Sequence, residues 1–328
     1  MSPNVRMGWF LAHEEWQPEA LIQQGVLAES AGFDALLVSD HLQPWTDVGG
    51  AAGFSWATLG ALAASTRTAT LMTAAVCPLF RMHPVLVAQA AATVGRICGG
   101  RFELGVGMGQ AVNEQPLVGS LPPYRERLAR TEEALRLMDS LLAGAEVGSD
   151  GPYYPVSSMK LHSPPPGPVP VLLAASGPRS AEAAGRLADG VITSVKDVGH
   201  TRRTVVDVAR KAAAAAGRRP PRVVLTCFLV FARSDAEAWE ALRPWRGMRT
   251  PRRLQEGSPR RLREDADAMG REGVLQRFPR YDDVSRVVEL CRGIIDGIAP
   301  DILALQVAAV DGAEALKRLS EVPTRLRG

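Results

Sequence analysis

The sequence predicts an α/β fold, a (β/α)8 TIM-like barrel, and three observations carry that expectation. Short apolar runs alternate with amphipathic stretches from one end of the chain to the other, the pattern of βα units on a parallel sheet. Eight such runs occur, each followed by a helix-like stretch, and eight is the count that closes a barrel. The 328 residues are enough for one large barrel with a substantial core, so residues 1–328 read as a single domain.

The elements follow in order. The first strand is Met7 to Leu11, with a helix from Pro18 to Ser30; Gly32 and Asp34 punctuate the turn into a second strand, Ala35 to Val38. A helix from Trp56 to Ser65 leads to strand Ala69 to Thr73. A helix from His83 to Arg96 closes on Gly99-Gly100 ahead of strand Phe102 to Val106. Next come helix Tyr124 to Leu142, strand Val169 to Ala174, helix Arg179 to Leu187, strand Gly190 to Ile192 and helix Thr201 to Ala216. Strand Val223 to Phe231, helices Asp235 to Leu242 and Asp282 to Ile295, strand Asp301 to Gln306 and helix Gly312 to Ser320 complete the chain. Two insertions interrupt the pattern. Residues 146–170, with Gly151, Pro152, Pro155 and the run Pro164 to Pro168, read as a small hairpin and a proline-stiffened connection. Residues 244–280 are too long for an ordinary βα loop and read as helical in part. Both are placed to cover the barrel mouth.

Composition narrows the function classes. Hydrophobic residues make up 46% and charged residues 22%, values of an ordinary globular protein. No apolar run reaches the roughly 18 residues of a bilayer span, and the segment Met1 to Met7 lacks a basic region followed by an apolar stretch. A cytoplasmic address with no membrane partner is expected. Cys77, Cys98, Cys227 and Cys291 are scattered and form no Cys-x-x-Cys pair, which argues against a zinc ribbon or a disulfide framework, and no metal is expected. The net charge is +3, and the basic residues gather between Arg243 and Arg280, where eleven Arg face five Asp/Glu. Aromatic residues there are too few for a base-stacking surface, so nucleic acid is not an expected partner. That arginine-rich stretch is either a solvated surface or a lid meeting an anionic ligand.

In a barrel of this kind chemistry sits at the C-terminal ends of the strands. That filter selects His13, Glu14 and Glu15 after strand one, then Ser39, Asp40, His41 and Trp45 after strand two. It selects Cys77, Arg81 and His83 after strand three and Met108, Gln110, Asn113 and Glu114 after strand four. After strands five and six it selects Ser176, Gly177, Thr193, Ser194 and Lys196. Within Ser39-Asp40-His41-Leu42-Gln43-Pro44-Trp45, an imidazole that titrates near neutrality leaves a buried strand beside a carboxylate. The bland alternative is a capping Asp40 and a hydrogen-bonded structural His41. The run Leu104-Gly105-Val106-Gly107-Met108-Gly109-Gln110 lets a flat group approach the backbone, yet it is not the dinucleotide fingerprint, because position 110 is Gln and no helix is expected to open there. Ala174-Ala175-Ser176-Gly177-Pro178-Arg179-Ser180 joins a strand to a helix start and suits an anion, or equally a simple serine cap.

Taken together, these motifs, with Cys77-Pro78-Leu79-Phe80-Arg81 and Pro84, Asn113-Glu114 and Ala188-Asp189-Gly190, resemble the deazaflavin (coenzyme F420)-dependent branch of the luciferase-like superfamily. Within that branch the chain is most similar to F420-dependent glucose-6-phosphate dehydrogenases and their relatives, over about residues 5 to 200. The resemblance implies a TIM-like barrel, usually dimeric, whose coenzyme F420 lies across the strand ends. It implies that Asp40, Ala74, Ala75, Cys77, Met108, Gly109 and Asn113 contact the coenzyme, and that Ser176, Gly177, Arg179 and Ser180 hold its phosphate-bearing tail. It makes His41 the group that exchanges a proton with substrate, Trp45 the pocket wall and Glu14 an active-site carboxylate. Gln110 stands where the sugar-phosphate enzymes carry a glutamate, and an amide takes up no proton near neutrality. Ala74-Ala75 falls where the family has a bulge with a cis peptide. The lysines that hold a sugar phosphate have no clear counterpart: Lys196 matches one only with a slipped register, and Glu264 stands near another. A small-molecule substrate other than glucose 6-phosphate is expected, less polar than a sugar phosphate, in a pocket lined by Trp9, Ala74, Ala75, Met108, Ser194 and Lys196. The alternatives are an FMN-dependent monooxygenase on the same barrel, a metal hydrolase using His13, His41 and His83, and a coenzyme-binding barrel without turnover.

Overall fold

The computed structural model describes residues 5–327. Eight parallel strands, β1 (Arg6–Leu11), β2 (Ala35–Val38), β3 (Thr70–Thr73), β4 (Phe102–Val106), β5 (Val171–Ala174), β6 (Gly190–Ser194), β7 (Arg222–Phe231) and β8 (Ile302–Ala308), pair in chain order. The barrel closes where β8 meets β1, with Arg6 opposite Ile302. Strand bounds differ from the sequence reading by one or two residues. The exception is a two-residue strand, Arg280–Tyr281, that pairs in parallel with Val230 and Phe231 at the end of β7 and follows from no sequence signal.

Parity decides what each strand residue does, because successive side chains point to opposite faces. Phe10, Ala35, Leu37, Met72, Leu172, Ile192, Val224, Phe228 and Ala304 fill the lumen. Met7, Trp9, Leu11, Leu36, Val38 and Leu71 pack outward on the helix layer. Trp9 is therefore a core residue: it is 2% exposed and stands edge-on to Phe33, with ring centroids 5.3 Å apart, so it does not line a substrate pocket. Gly105 is a packing requirement, since a Cβ there would lie 2.0 Å from the Thr73 carbonyl oxygen.

The helix layer contains α1 (Pro18–Ser30), α2 (Ser55–Ser65), α3 (Pro84–Ile97), α4 (Ala111–Val118), α5 (Tyr124–Leu142) and α6 (Pro178–Leu187) in its first half. Helix α4 corrects the expectation that none opens after the glycine run: Gln110 is its extended N-cap. The stretch read as one helix from Thr201 to Ala216 contains a π-helical segment, Arg202–Val206, before Asp207–Ala215. The 146–170 insertion holds the antiparallel pair Val147–Ser149 and Val156–Met159. The 244–280 insertion holds a 3-10 turn, Arg246–Arg249, and a helix, Pro259–Leu275, kinked at Gly270. A last helix, Val322–Arg327, was not foreseen. No described helix is long and apolar enough to cross a membrane.

Candidate active site

The ends of β1 and β2 bring Glu14 and His41 together. His41 Nε2 lies 3.2 Å from Glu14 Oε1, with both side chains less than one-tenth exposed. The other Glu14 oxygen accepts the hydroxyl of Ser39, and that hydroxyl in turn accepts the His13 backbone N–H at 2.8 Å. On its far side His41 Nδ1 meets the Gln43 carbonyl at 3.1 Å. The Gln43 carbonyl and the Glu14 carboxylate both only accept, so each ring nitrogen faces an acceptor: Nδ1 is placed to donate to the carbonyl, and Nε2, against the carboxylate, is placed for a proton to come and go. Trp45 is buried beside the imidazole, ring centroids 5.1 Å apart, and walls that side.

A second network lies next to this one. Arg81 Nη2 donates to Asp40 Oδ2 at 2.6 Å and its Nε donates to Glu114 Oε1 at 3.1 Å, while Ser55 donates to Asp40 Oδ1 at 2.7 Å. Burial raises the Glu114 carboxyl's pKa against the pull of Arg81. Asp40 is thus committed to Arg81 and Ser55. Asn113 is committed as well: its Oδ1 accepts the backbone N–H groups of Leu42 at 2.9 Å and Gln43 at 3.2 Å, so it holds the His41 loop. Cys77 is buried against Glu114 and Gly109, and desolvation drives its thiol pKa far up, which keeps it protonated. Gly109 adopts φ +77, a left-handed conformation that suits glycine. Arg127 fixes this turn by donating to the carbonyls of Met108 at 3.1 Å and Gly109 at 3.2 Å.

Beside these networks lies a shelf of small residues. A Cβ on Gly107 would meet nothing closer than Ala75 Cβ at 3.7 Å and Ala174 Cβ at 3.9 Å. The half-buried peptide Ala74-Ala75 is cis, in the expected bulge after β3. From the shelf, Ala175-Ser176-Gly177 leads to the N-terminus of α6, where no side chain caps the helix and space around Gly177 is open. Ser176 and Arg179 are exposed there, but Ser180 is buried and its hydroxyl donates to the Gly177 carbonyl at 3.0 Å, so it serves the helix turn. Gln110 Oε1 is buried with no partner among the described residues.

Across the mouth the fold gathers Lys196, which the sequence reading already placed there, with Arg249 and Arg253, which it did not single out within the arginine-rich stretch. Arg249 lies over the rings of Phe278 (4.5 Å) and Phe228 (5.3 Å), a lumen residue. Burial, then Arg253, lowers its pKa to about 10. Lys196, just past β6, is lowered by burial and then by Arg253 and Arg249, and Arg253 is lowered by burial. Among the described residues no carboxylate pairs with any of the three. Ser194 is not free beside them: it shares a hydrogen bond with Thr226 at 2.7 Å. Glu264, in contrast, is an exposed partner of Arg260. His83 caps α3 by accepting from Val85 N–H at 3.2 Å, and no three potential metal ligands converge among the described residues.

The family model described as luciferase-like monooxygenase matches residues 5–287. An F420-dependent glucose-6-phosphate dehydrogenase of Beutenbergia cavernae is 38% identical over 290 residues, 87% of this chain and 86% of that one. The enzyme of the same name from Nakamurella multipartita is 35% identical over 299 residues, 90% and 88% of the two chains. Among solved structures, an F420-dependent secondary alcohol dehydrogenase in complex with an F420-acetone adduct superposes with a TM-score of 0.91 at 25% identity over 100% of both chains.

Proposed function

This chain belongs to the luciferase-like monooxygenase family, and from that premise we propose that it is an F420-dependent oxidoreductase acting on a small hydroxyl- or carbonyl-bearing substrate. We further propose that the substrate carries an anionic group and is not glucose 6-phosphate. The observation that carries the chemistry is the His41–Glu14 pair, with one ring nitrogen fixed by a carbonyl and the other left to exchange a proton.

The residues present fit the coenzyme. Ala75, Gly107 and Ala174 leave a flat, uncluttered shelf for a ring system, and the uncapped N-terminus of α6 offers free N–H groups, with Arg179 nearby, to an anionic tail. Bound there, coenzyme F420 supplies a two-electron hydride acceptor or donor with little one-electron or oxygen chemistry. The remaining work falls to the chain. In alcohol oxidation the C–H bond breaks with its electron pair leaving as hydride, and the O–H proton passes to His41 Nε2. Glu14 then faces the imidazolium at 3.2 Å and stabilises it. In the reductive direction the same nitrogen returns a proton to the alkoxide as it forms. Trp45 and the Gln43 carbonyl hold the ring in place, which limits the reorganisation the step needs.

Substrate choice rests on two features. Gln110 supports a substrate whose oxidation needs no second carboxylate, because an amide hydrogen-bonds without taking the proton. Lys196, Arg249 and Arg253, partly desolvated and without counter-ions, support a phosphate or carboxylate on the substrate. This revises the expectation of a less polar pocket. The test is an absorbance titration with oxidised F420 and with FMN, followed by turnover of a panel of small hydroxy acids, hydroxy phosphates and neutral alcohols alongside glucose 6-phosphate. Tighter FMN binding overturns the coenzyme assignment. Glucose 6-phosphate, or a neutral alcohol, as the best substrate overturns the substrate assignment.

A further inference from the structure

We propose that Gln43 is a positioning residue for proton exchange at His41 and ties that exchange to the 244–280 insertion; this rests on the reading of His41 above. Glu14 at Nε2 and the Gln43 carbonyl at Nδ1 compete for the hydrogen of a neutral His41, and the carbonyl keeps it on Nδ1 only if that carbonyl is itself held still. Gln43 is held from both ends. Its backbone N–H and that of Leu42 donate to Asn113 Oδ1 at 3.2 and 2.9 Å. Its side-chain Nε2 donates to the Val112 carbonyl at 2.7 Å and to the Gly257 carbonyl at 3.2 Å. The amide therefore spends both of its protons, one on the first turn of α4 and one on the insertion.

Gly257 immediately precedes Ser258, whose hydroxyl caps the helix Pro259–Leu275. The same insertion carries Arg249 and Arg253. It abuts the His41 loop a second time at Gly247, where a Cβ would stand 2.0 Å from the Trp45 carbonyl oxygen. A shift of the insertion, such as an anion drawn between its arginines and Lys196 would cause, pulls on the Gln43 side chain. The carbonyl that keeps hydrogen on His41 Nδ1 belongs to that residue. Substrate anchoring at one edge of the mouth and the tautomer of the proton-exchanging group at the other are linked through one glutamine.

Side-chain 15N spectra of histidine report the tautomer directly, in coenzyme-free protein at a pH where the imidazole is neutral. The chain has five histidines, and His41→Asn identifies the relevant signals. Wild type should show a single Nδ1–H form. Gln43→Met keeps the bulk but loses both donors; it should give a mixture of tautomers and a kcat lowered about ten- to a hundredfold. The pH profile of kcat should shift while KM changes less. Gln43→Asn, one methylene too short to span both carbonyls, should show the same mixture in part and covers the case in which the Met variant does not fold. Asn113→Asp keeps the acceptor for both N–H groups and should retain the single form. A wild-type tautomer and pH profile in the Gln43 variants, with only Tm lowered, overturns the proposal, as does a mixed tautomer in wild type. The spectra need neither coenzyme nor substrate, so failure of the hydride-transfer reading shows separately, in the turnover assay.

Discussion

Replacing Glu15 by Gln should change how stability depends on pH, and the size of the effect follows from its surroundings. Burial raises its pKa from the ordinary 4.5 to about 8; a hydrogen bond from the Ala309 N–H (3.3 Å) and the nearness of the Trp245 and Trp16 indoles oppose the rise, and Glu14 adds to it. Part of the residue is solvent-exposed, yet Oε2 is buried without a partner among the described residues, so desolvation acts on the carboxylate itself. The folded state keeps this proton up to about pH 8, whereas the unfolded chain releases it near 4.5. Between those values the folded state binds more protons, so stability falls as pH rises. The gap from 4.5 to about 8, at about 1.4 kcal/mol per unit, sets a ceiling of about 5 kcal/mol, fully developed only above pH 8. Gln retains an acceptor for Ala309 and does not ionise. It places an N–H where Oε2 had no partner, at a pH-independent cost of about 1–3 kcal/mol. The variant should be no more stable than wild type at pH 5 and more stable at pH 9, as read by urea denaturation at both values. Parallel stability curves across that range would refute the account of Glu15 as a buried, neutral acid.

Four other outcomes are expected. His41→Ala should lower kcat by about 10²- to 10⁴-fold, the usual range for a lost general acid-base, while an absorbance titration shows coenzyme affinity unchanged. Arg81→Met leaves Asp40 and Glu114 buried without their cation and should cost about 3–5 kcal/mol near neutral pH, the loss shrinking in acid as Glu114, whose pKa burial raises, protonates. Lys196→Gln or Arg253→Gln should raise KM for an anionic substrate about ten- to a hundredfold, with kcat nearly unchanged and a weaker dependence on ionic strength, because each removes one charge-assisted contact. Gly247→Ala pushes the insertion off the Trp45 carbonyl and should cost about 1–3 kcal/mol by overpacking, with a fall in kcat as the Trp45 wall shifts.

The barrel was legible because each strand is a short apolar run bounded by turn residues, and the mouth residues were legible because the fold puts chemistry at strand ends. What escaped has physical reasons. Trp9 sits in Met-Gly-Trp-Phe-Leu, a strand buried on both faces, so no polar alternation marks which side chains point inward. Helix α4 is eight residues long, contains Pro116 and begins on an uncapped Gln110, so it carries neither strong periodicity nor a start signal. Asp40 and Asn113 were read only as coenzyme contacts, and no sequence signal marks the bonds that Asp40 also makes to Arg81 and that Asn113 Oδ1 makes to the loop backbone. The cationic cluster joins the end of β6 to residues more than fifty positions away, a proximity that only tertiary packing creates. Gln43 passed for an ordinary loop residue because its partners, Val112 and Gly257, are equally remote in sequence.

The two acid networks at the mouth differ in one respect that explains how a movable proton is kept beside fixed ones. Asp40 and Glu114 share Arg81, a permanent cation with donors to both, so that network binds the end of β2 to α4 without needing a proton from elsewhere. Glu14 has no arginine. Its partners are a hydroxyl and an imidazole, and of the two only the imidazole can carry a positive charge. An arginine at the position of His41 would lock Glu14 as a structural anion, and a second histidine at the position of Arg81 would let Asp40 and Glu114 compete for the exchangeable proton. If His41 exchanges the proton as proposed, the arrangement confines that exchange to Nε2, with the Arg81 network on one side and Gln43 on the other holding the loop that carries it.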